Sequence, residues 1–139
     1  MSDIKNVFDI AGRSMAAQMV RLNTVASNIA NAEARAGSAE DAYRPLRPVF
    51  QTVFEDGMRN AEKASVEVRD VISLNREPQR VHEPGHPLAD EEGFVYIAPV
   101  DVNEEMVDMI EASRQYQNNL EVVTTMRTLM MRTVNMGKS

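Results

Sequence analysis

Between residues 102 and 134 the chain repeats apolar side chains at a spacing that only a long helix can use. Val102, Met109, Tyr116, Val123 and Met130 fall seven residues apart on one line, and Met106, Ser113, Leu120, Arg127 and Val134 form the line interleaved with it. Together they read as an a/d seam interrupted by one serine and one arginine. So narrow a stripe on so long a helix needs partner helices to cover it, whereas an ordinary globular helix averages only ~11–12 residues. Start and stop are both legible. Asp101, with Glu104 three residues on, resembles a capping box with Asp in the usual place of Ser or Thr. Asp101, Glu104, Glu105 and Asp108 sit at the positive end of the helix dipole, and Arg127, Arg132 and Lys138 near the negative end. Gly137 is placed to be the residue just past the helix.

The other end of the chain supplies a candidate partner. Phe8, Met15, Leu22 and Ile29 lie seven apart, with Ile4, Ala11, Gln18, Val25 and Ala32 interleaved, which predicts a helix from residue 4 to about 33. Its length would be ~45 Å at 1.5 Å per residue. Ala11, Gly12, Ala16 and Ala17 mark a place where another helix could approach closely. Gly12 costs roughly 1 kcal/mol of helix propensity, so packing has to offset it. The helix should end before Gly37, in a loose stretch from Ala36 to Ala42.

The expected fold is therefore mainly α, with long N- and C-terminal helices packed as a coiled-coil-like pair around a small extended or β middle region. Residues 1–36 and 101–139 form one helical unit, and 37–100 the middle segment. In the middle, Pro45 and Pro48 bias Tyr43 to Pro48 toward extended chain. Alternation predicts strands at 65–69 and 94–97, and at 49–54 it suits a short strand with a helix as the alternative. Asp56-Gly57 reads as a turn, Met58 to Ala64 as a helical turn or a loop, and His82 to Gly93 as a loop that orders on assembly. A two-helix seam buries little, so such a pair should be marginal alone and draw most of its stability from neighbours.

Composition narrows the function. The 139 residues are one domain's length, and 21 acidic against 15 basic side chains argue against nucleic acid as the main partner. Aromatics are 5% and Trp is absent, which argues against a large globular core. Six of the ten methionines lie between Met106 and Met136; such soft side chains suit a surface meeting several different neighbours, and equally an ordinary core. With no cysteine, disulfides and Cys-bound zinc are excluded. The first thirty residues hold no continuous apolar region of the kind a cleaved signal peptide needs. No run approaches the ~20 apolar residues of a membrane helix, so the chain is not expected to be membrane-inserted.

One motif resembles chemistry. His82-Glu83-Pro84-Gly85-His86 spells the H-E-x-x-H pattern of zinc peptidases, which works only on a helix that stacks both histidines on one face. Pro84, Gly85 and Pro87 oppose that helix, and there is no third histidine. The carboxylate pairs Glu104-Glu105 and Glu91-Glu92 are expected to be solvated. Asn28, Asn31, Gln117 and Asn119 are expected to set helix register through amide hydrogen bonds. No phosphate loop, nucleophile elbow or cysteine nucleophile is present, so no enzyme activity and no cofactor is expected. On these grounds the chain is either an assembling structural subunit or a soluble helical adaptor or chaperone forming a small oligomer.

Ala26-Ser27-Asn28-Ile29-Ala30-Asn31-Ala32 resembles the N-terminal signature of bacterial flagellar axial proteins, the rod and hook family. Glu105-Met106, Met109-Ile110 and Arg114-Gln115-Tyr116-Gln117 resemble that family's C-terminal signature. The stretch from Glu83 to Asp90, continuing through Gly93-Phe94-Val95 to Val100-Asp101-Val102, is similar to the proximal-rod members of the family. Two local departures occur: Ala42-Tyr43 stands for a usual Gly-Tyr, and Asn118 for a usual alanine. The resemblance implies a subunit of the basal-body rod, assembling helically with copies of itself and other rod proteins into a periplasmic drive shaft that transmits torque. It also implies export by the flagellar type III apparatus without signal cleavage. Helix-packing and subunit-interface residues would be Phe8, Met15, Leu22, Ile29, Met109, Tyr116, Leu120 and Val123. Asn28, Asn31, Arg114 and Gln117 would make polar register contacts, and Glu83, Pro84, Gly85 and Pro87 loop contacts.

Overall fold

The computed structural model describes residues 2–54 and 64–138. In chain order they form α1 (Ser2–Ala30), β1 (Arg35–Ala36), β2 (Leu46–Phe54), β3 (Ala64–Ser73), β4 (Gln79–His82), β5 (Phe94–Ile97) and α2 (Val102–Met136). The two helices run antiparallel: Ser14 meets Asn119, Gln18 meets Gln115 and Asn28 meets Glu105. The expected pair of long terminal helices with a small β middle is the fold.

The seam itself differs in frame. On α1 the interleaved line turns inward, with Ala11 and Val25 buried, and Ser14, Arg21 and Asn28 supply its second line. On α2 the line Met109, Tyr116, Val123, Met130 is half-buried. Its companion is Glu105, Ala112, Asn119 and Met126, one position earlier than the line of Met106, Ser113, Leu120, Arg127 and Val134 read from the sequence. Met106 and Leu120 are 46% and 45% exposed, while Ala112 is fully buried. The frame chosen is the one α1 can satisfy: a small residue at the closest approach, and polar groups where α1 offers partners.

Asp101 caps α2 as expected, its carboxylate accepting from the backbone N–H groups of Asn103 (2.9 Å) and Glu104 (3.4 Å). The reciprocal half of the capping box is missing, because the Glu104 carboxylate turns to Arg76 and Arg47 instead. Gly137 differs too. It keeps a right-handed φ of −74°, so the helix end runs out without a left-handed cap.

β2 and β3 form an antiparallel ribbon with an irregularity at Val49/Phe50, where Asp70 and then Val68 are the successive partners and Arg69 is passed over. The ribbon rests on α1, where Arg13 donates to Ser65 at 2.9 Å and pairs with Glu67 at 3.4 Å. Both strands are longer than the alternation suggested. The expected turn at Asp56-Gly57 and the segment from Met58 to residue 63 lie outside the described residues. β1, β5 and β4 make the second sheet in that spatial order, all antiparallel. β5 was legible in the sequence. β4 has one apolar residue in four and β1 only two residues, so their pairing with β5 defines them.

The loop from His82 to Gly93 is held by hydrogen bonds within the chain. Glu83 N–H donates to Gly93 O (3.0 Å), Gly93 N–H to Asp90 O (2.9 Å), and the Asp90 carboxylate accepts from Glu92 and Phe94 N–H at 3.0 and 2.8 Å. Gly93 closes it at φ +82°, where an added Cβ would lie 3.0 Å from Pro84 Cβ. Gly93→Ala should therefore cost about 1–3 kcal/mol in a denaturant titration. Gly85→Ala, where a Cβ meets nothing, should be near neutral; equal costs at both positions would refute this account.

Candidate functional site

Two features of the helix pair stand out: a buried polar junction at one end and an uncovered face along α2. The junction is built on Asn28, which α1 delivers to the place where β2 begins. Its side-chain amide mimics a strand neighbour: Nδ2 donates to Leu46 O (2.9 Å) and Oδ1 accepts Leu46 N–H (2.8 Å). Oδ1 also accepts from the Tyr43 hydroxyl (2.8 Å), which is 3.0 Å from Ser27 Oγ. Nδ2 reaches across to the Glu105 carboxylate at 3.1 Å. Four chain segments are thereby tied through one buried amide.

Glu105 is 1% exposed, contrary to the expectation that the Glu104-Glu105 pair is solvated. Arg47 on β2 forms an ion pair with it. Burial works against the Arg47 charge, but the hydrogen bond and charge of Glu105 outweigh it and hold the guanidinium above its ordinary range. One turn along, Arg21 bonds Asp108 (Nε at 2.8 Å) and Glu111 (3.1 Å). The seam continues with Gln18 donating to Gln115 (2.8 Å) and Asn119 donating to Ser14 (2.9 Å). Gln18 Oε1 is buried without a hydrogen-bond partner among the described residues. Arg21 and Arg47 were not singled out from the sequence, and Tyr43, Glu105, Asp108 and Gln115 were noted there for other reasons, not as members of this junction. For Glu105 the signal was there: it falls in step with Ala112, Asn119 and Met126.

The expected interface residues are distributed unevenly. Phe8, Met15, Leu22, Ile29, Met109, Tyr116 and Val123 are half-buried, and Leu120 is exposed. Asn28 sits in the junction, whereas Asn31 bonds back to Ser27 O (2.8 Å) within its own chain turn. Arg114 and Gln117 are exposed and line an open groove with Met109, Ile110 and Ser113, away from α1. In the loop, the Arg35 guanidinium grips Glu83 at 2.8 and 3.1 Å, and that hydrogen bond holds the Glu83 carboxyl below its ordinary range. Pro84 abuts Gly93, and Gly85 and Pro87 are exposed.

The H-E-x-x-H spelling is a strand end followed by turns. His82 stacks edge-on against Phe94 (centroids 4.9 Å apart), and His86 Nδ1 accepts Leu88 N–H (3.1 Å). Among the described residues no group of three or more His, Cys, Asp or Glu could hold a metal, and no helix is long and apolar enough to cross a membrane. What the arrangement offers is surface. Val102, Met106, Ile110, Leu120, Val122 and Leu129 are all exposed on α2. Val102, Met106, Ile110 and Leu120 fall on one flank of the helix and Val122 and Leu129 on the opposite one, and solvated apolar side chains so grouped mark interaction faces.

Comparison with known proteins agrees at both ends of the pair. Residues 8–33 match the family described as flagella basal body rod protein, and residues 91–136 match flagellar basal body rod FlgEFG protein C-terminal. The chain is 44% identical over 133 residues to the flagellar basal-body rod protein FlgC of Escherichia coli, covering 96% of this chain and 97% of that protein. It is 43% identical, at the same coverage, to FlgC of Salmonella typhimurium. FlgC of Aquifex aeolicus is 36% identical over 138 residues, 99% of this chain and 100% of that protein. The α1 and α2 segments that build the seam are thus the ones the family descriptions match, and the chain belongs to the flagellar basal-body rod protein FlgC family.

Proposed function

We propose that this chain is a structural, non-catalytic subunit of the proximal rod. It assembles helically with copies of itself and other rod proteins into the periplasmic drive shaft and transmits motor torque. The observation that carries this is the exposed apolar face of α2: one side of the helix is covered by α1, and the other presents Met106, Ile110 and Leu120 to solvent. The terminal segments act as one packing unit, and the ribbon of Leu46–Phe54 and Ala64–Ser73 adds contacts outside it. Phe8, Met15, Leu22 and Ile29, half-buried beside the seam, and Tyr116, half-buried on it, complete their burial on neighbours, and Arg114 and Gln117 make polar contacts there. Export proceeds through the flagellar type III apparatus without removal of the N-terminal region.

Leu120→Asp tests the reading, because Leu120 is exposed and its replacement should change folding stability by no more than about 0.5 kcal/mol. In a flagellated strain lacking its own copy, the variant should be expressed, be missing from purified basal bodies and leave the cells non-motile. Leu22→Asp should do the same. Motile cells with normal rods containing Leu120→Asp would overturn the interface assignment. A discrete soluble oligomer of the wild-type chain, found in the cytoplasm and never in basal bodies, would instead favour a helical adaptor.

A further inference from the structure

Resting on the reading of this chain as a rod subunit, α1 shows where the exposed flank of α2 finds its cover. Gly12, inside α1, is the residue that packing within the chain does not explain. It is exposed, and a Cβ added there would meet nothing within 4 Å beyond its own helix backbone. Its helix-propensity cost is therefore not offset by any close approach among the described residues. Gly12, Met15, Ala16 and Met19 stand at i, i+3, i+4 and i+7, the four corners of a hole that accepts a knob from a facing helix. Two small residues floor it, and Met19 (44% exposed) and half-buried Met15 rim it. The same chain's α2 packs on another side of α1, at Ser14, Gln18 and Asn28, and the ribbon on a third, at Arg13. The hole stays open.

The knobs are on α2, where Val102, Met106, Ile110, Leu120, Met131 and Val134 are exposed along one flank. A contact between hole and flank joins unlike surfaces, and its head-to-tail repetition gives the open helical array a rod requires. Copies that keep a common direction set α1 of one beside α2 of the next antiparallel, as within the chain. Charge selects the height. Asp9 lies one turn before Gly12 and Arg114 one turn after Ile110; both are exposed, and neither has a partner among the described residues. With Ile110 seated at Gly12, an antiparallel helix lays Met106 over Ala16 and brings Arg114 within reach of Asp9. Leu120 or Met106 seated there would instead bring Arg127 or Arg114 close to Lys5. Met131 or Val134 there would lay the Arg127 charge over Ala16 or Met19, and Val102 would leave no α2 over either. We propose that the flank of α2 around Met106 and Ile110 docks on the face of Gly12, Met15, Ala16 and Met19 in a second copy, antiparallel, with Arg114 paired to that copy's Asp9.

The chain has no cysteine, so engineered thiols report cleanly. Differently tagged Ala16→Cys and Met106→Cys chains are co-expressed in cells lacking their own copy, and basal bodies are purified and treated with a short thiol-to-thiol crosslinker. The expected product is a dimer carrying both tags, at least tenfold above that from either variant alone. Asp9→Cys with Arg114→Cys reports the same contact at a second height, should the first pair impair assembly. Gly12→Leu fills the hole. It should leave the urea midpoint of the purified chain undiminished, because a Cβ there meets nothing, and reduce recovery in basal bodies at least tenfold. Equal dimer from a single variant, crosslinks only to other rod proteins, or no dimer from either pair would each overturn the contact. So would a lowered urea midpoint or normal recovery of Gly12→Leu. Recovery of the wild-type chain in basal bodies is scored separately, and its absence would remove the rod-subunit reading itself.

Discussion

Arg47→Leu should destabilise the fold by about 3–5 kcal/mol, because it leaves the buried Glu105 carboxylate without its cation and with one Asn28 N–H as remaining partner. Urea unfolding followed by far-ultraviolet circular dichroism would read the loss as a lower midpoint at unchanged slope. The double variant Arg47→Leu/Glu105→Met should recover much of it, since no charge then remains to be desolvated. A double variant no more stable than Arg47→Leu would show that Arg47 acts through packing of its stem and not through the ion pair. A single variant within 0.5 kcal/mol of wild type, the ordinary range for surface changes, would show that water reaches Glu105 freely.

The second large effect is expected at Asn28. Asn28→Ala removes two donors and an acceptor from a fully buried position and leaves the N–H and C=O of Leu46, the Tyr43 hydroxyl and the Glu105 carboxylate each short of a bond. At about 1–3 kcal/mol for each buried group left unsatisfied, the loss should be about 3 kcal/mol or more. Amide hydrogen exchange gives the local signature. The Leu46 amide, which bonds to Asn28, should lose protection, while amides in the middle of α2 keep theirs relative to the global unfolding limit. Equal loss of protection everywhere would mean that Asn28 holds the whole fold uniformly and not the start of β2 in particular.

The uneven success at the site has a physical basis. The Asn28 of the Ala26–Ala32 segment was recognisable, because its motif is local and sits on a strongly periodic helix. Its partners were not recognisable as such: Tyr43, Leu46 and Glu105 lie 15 to 77 residues away along the chain. An adjacent pair such as Glu104-Glu105 looks alike in sequence, yet one helix step of 100° separates an exposed side chain from a buried one. The same step explains Leu120, which periodicity assigned to the seam and packing left outside it. The Glu104 side chain was expected to close a capping box on its own helix, but Arg47 and Arg76 from other segments compete for it.

By itself the sequence determined that two long helices stand at the ends, where α2 begins, and that they must find partners. Those conclusions rest on periodicity and local capping chemistry, which act over a few residues. It also located two of the strands, whose alternation is equally local, and left helix open at a third. Only the tertiary structure decided which of two adjacent frames on α2 faces α1, which carboxylate is buried, and that β1 and β4 exist at all. An apolar stripe on a helix is broad enough to admit either frame. What selects between them is the shape and hydrogen-bonding capacity of the surface opposite: Ala112 at the closest approach, Ser14 for Asn119, and Arg47 and Asn28 for Glu105. That surface is assembled from residues far apart in the chain, and it exists only once the chain has folded.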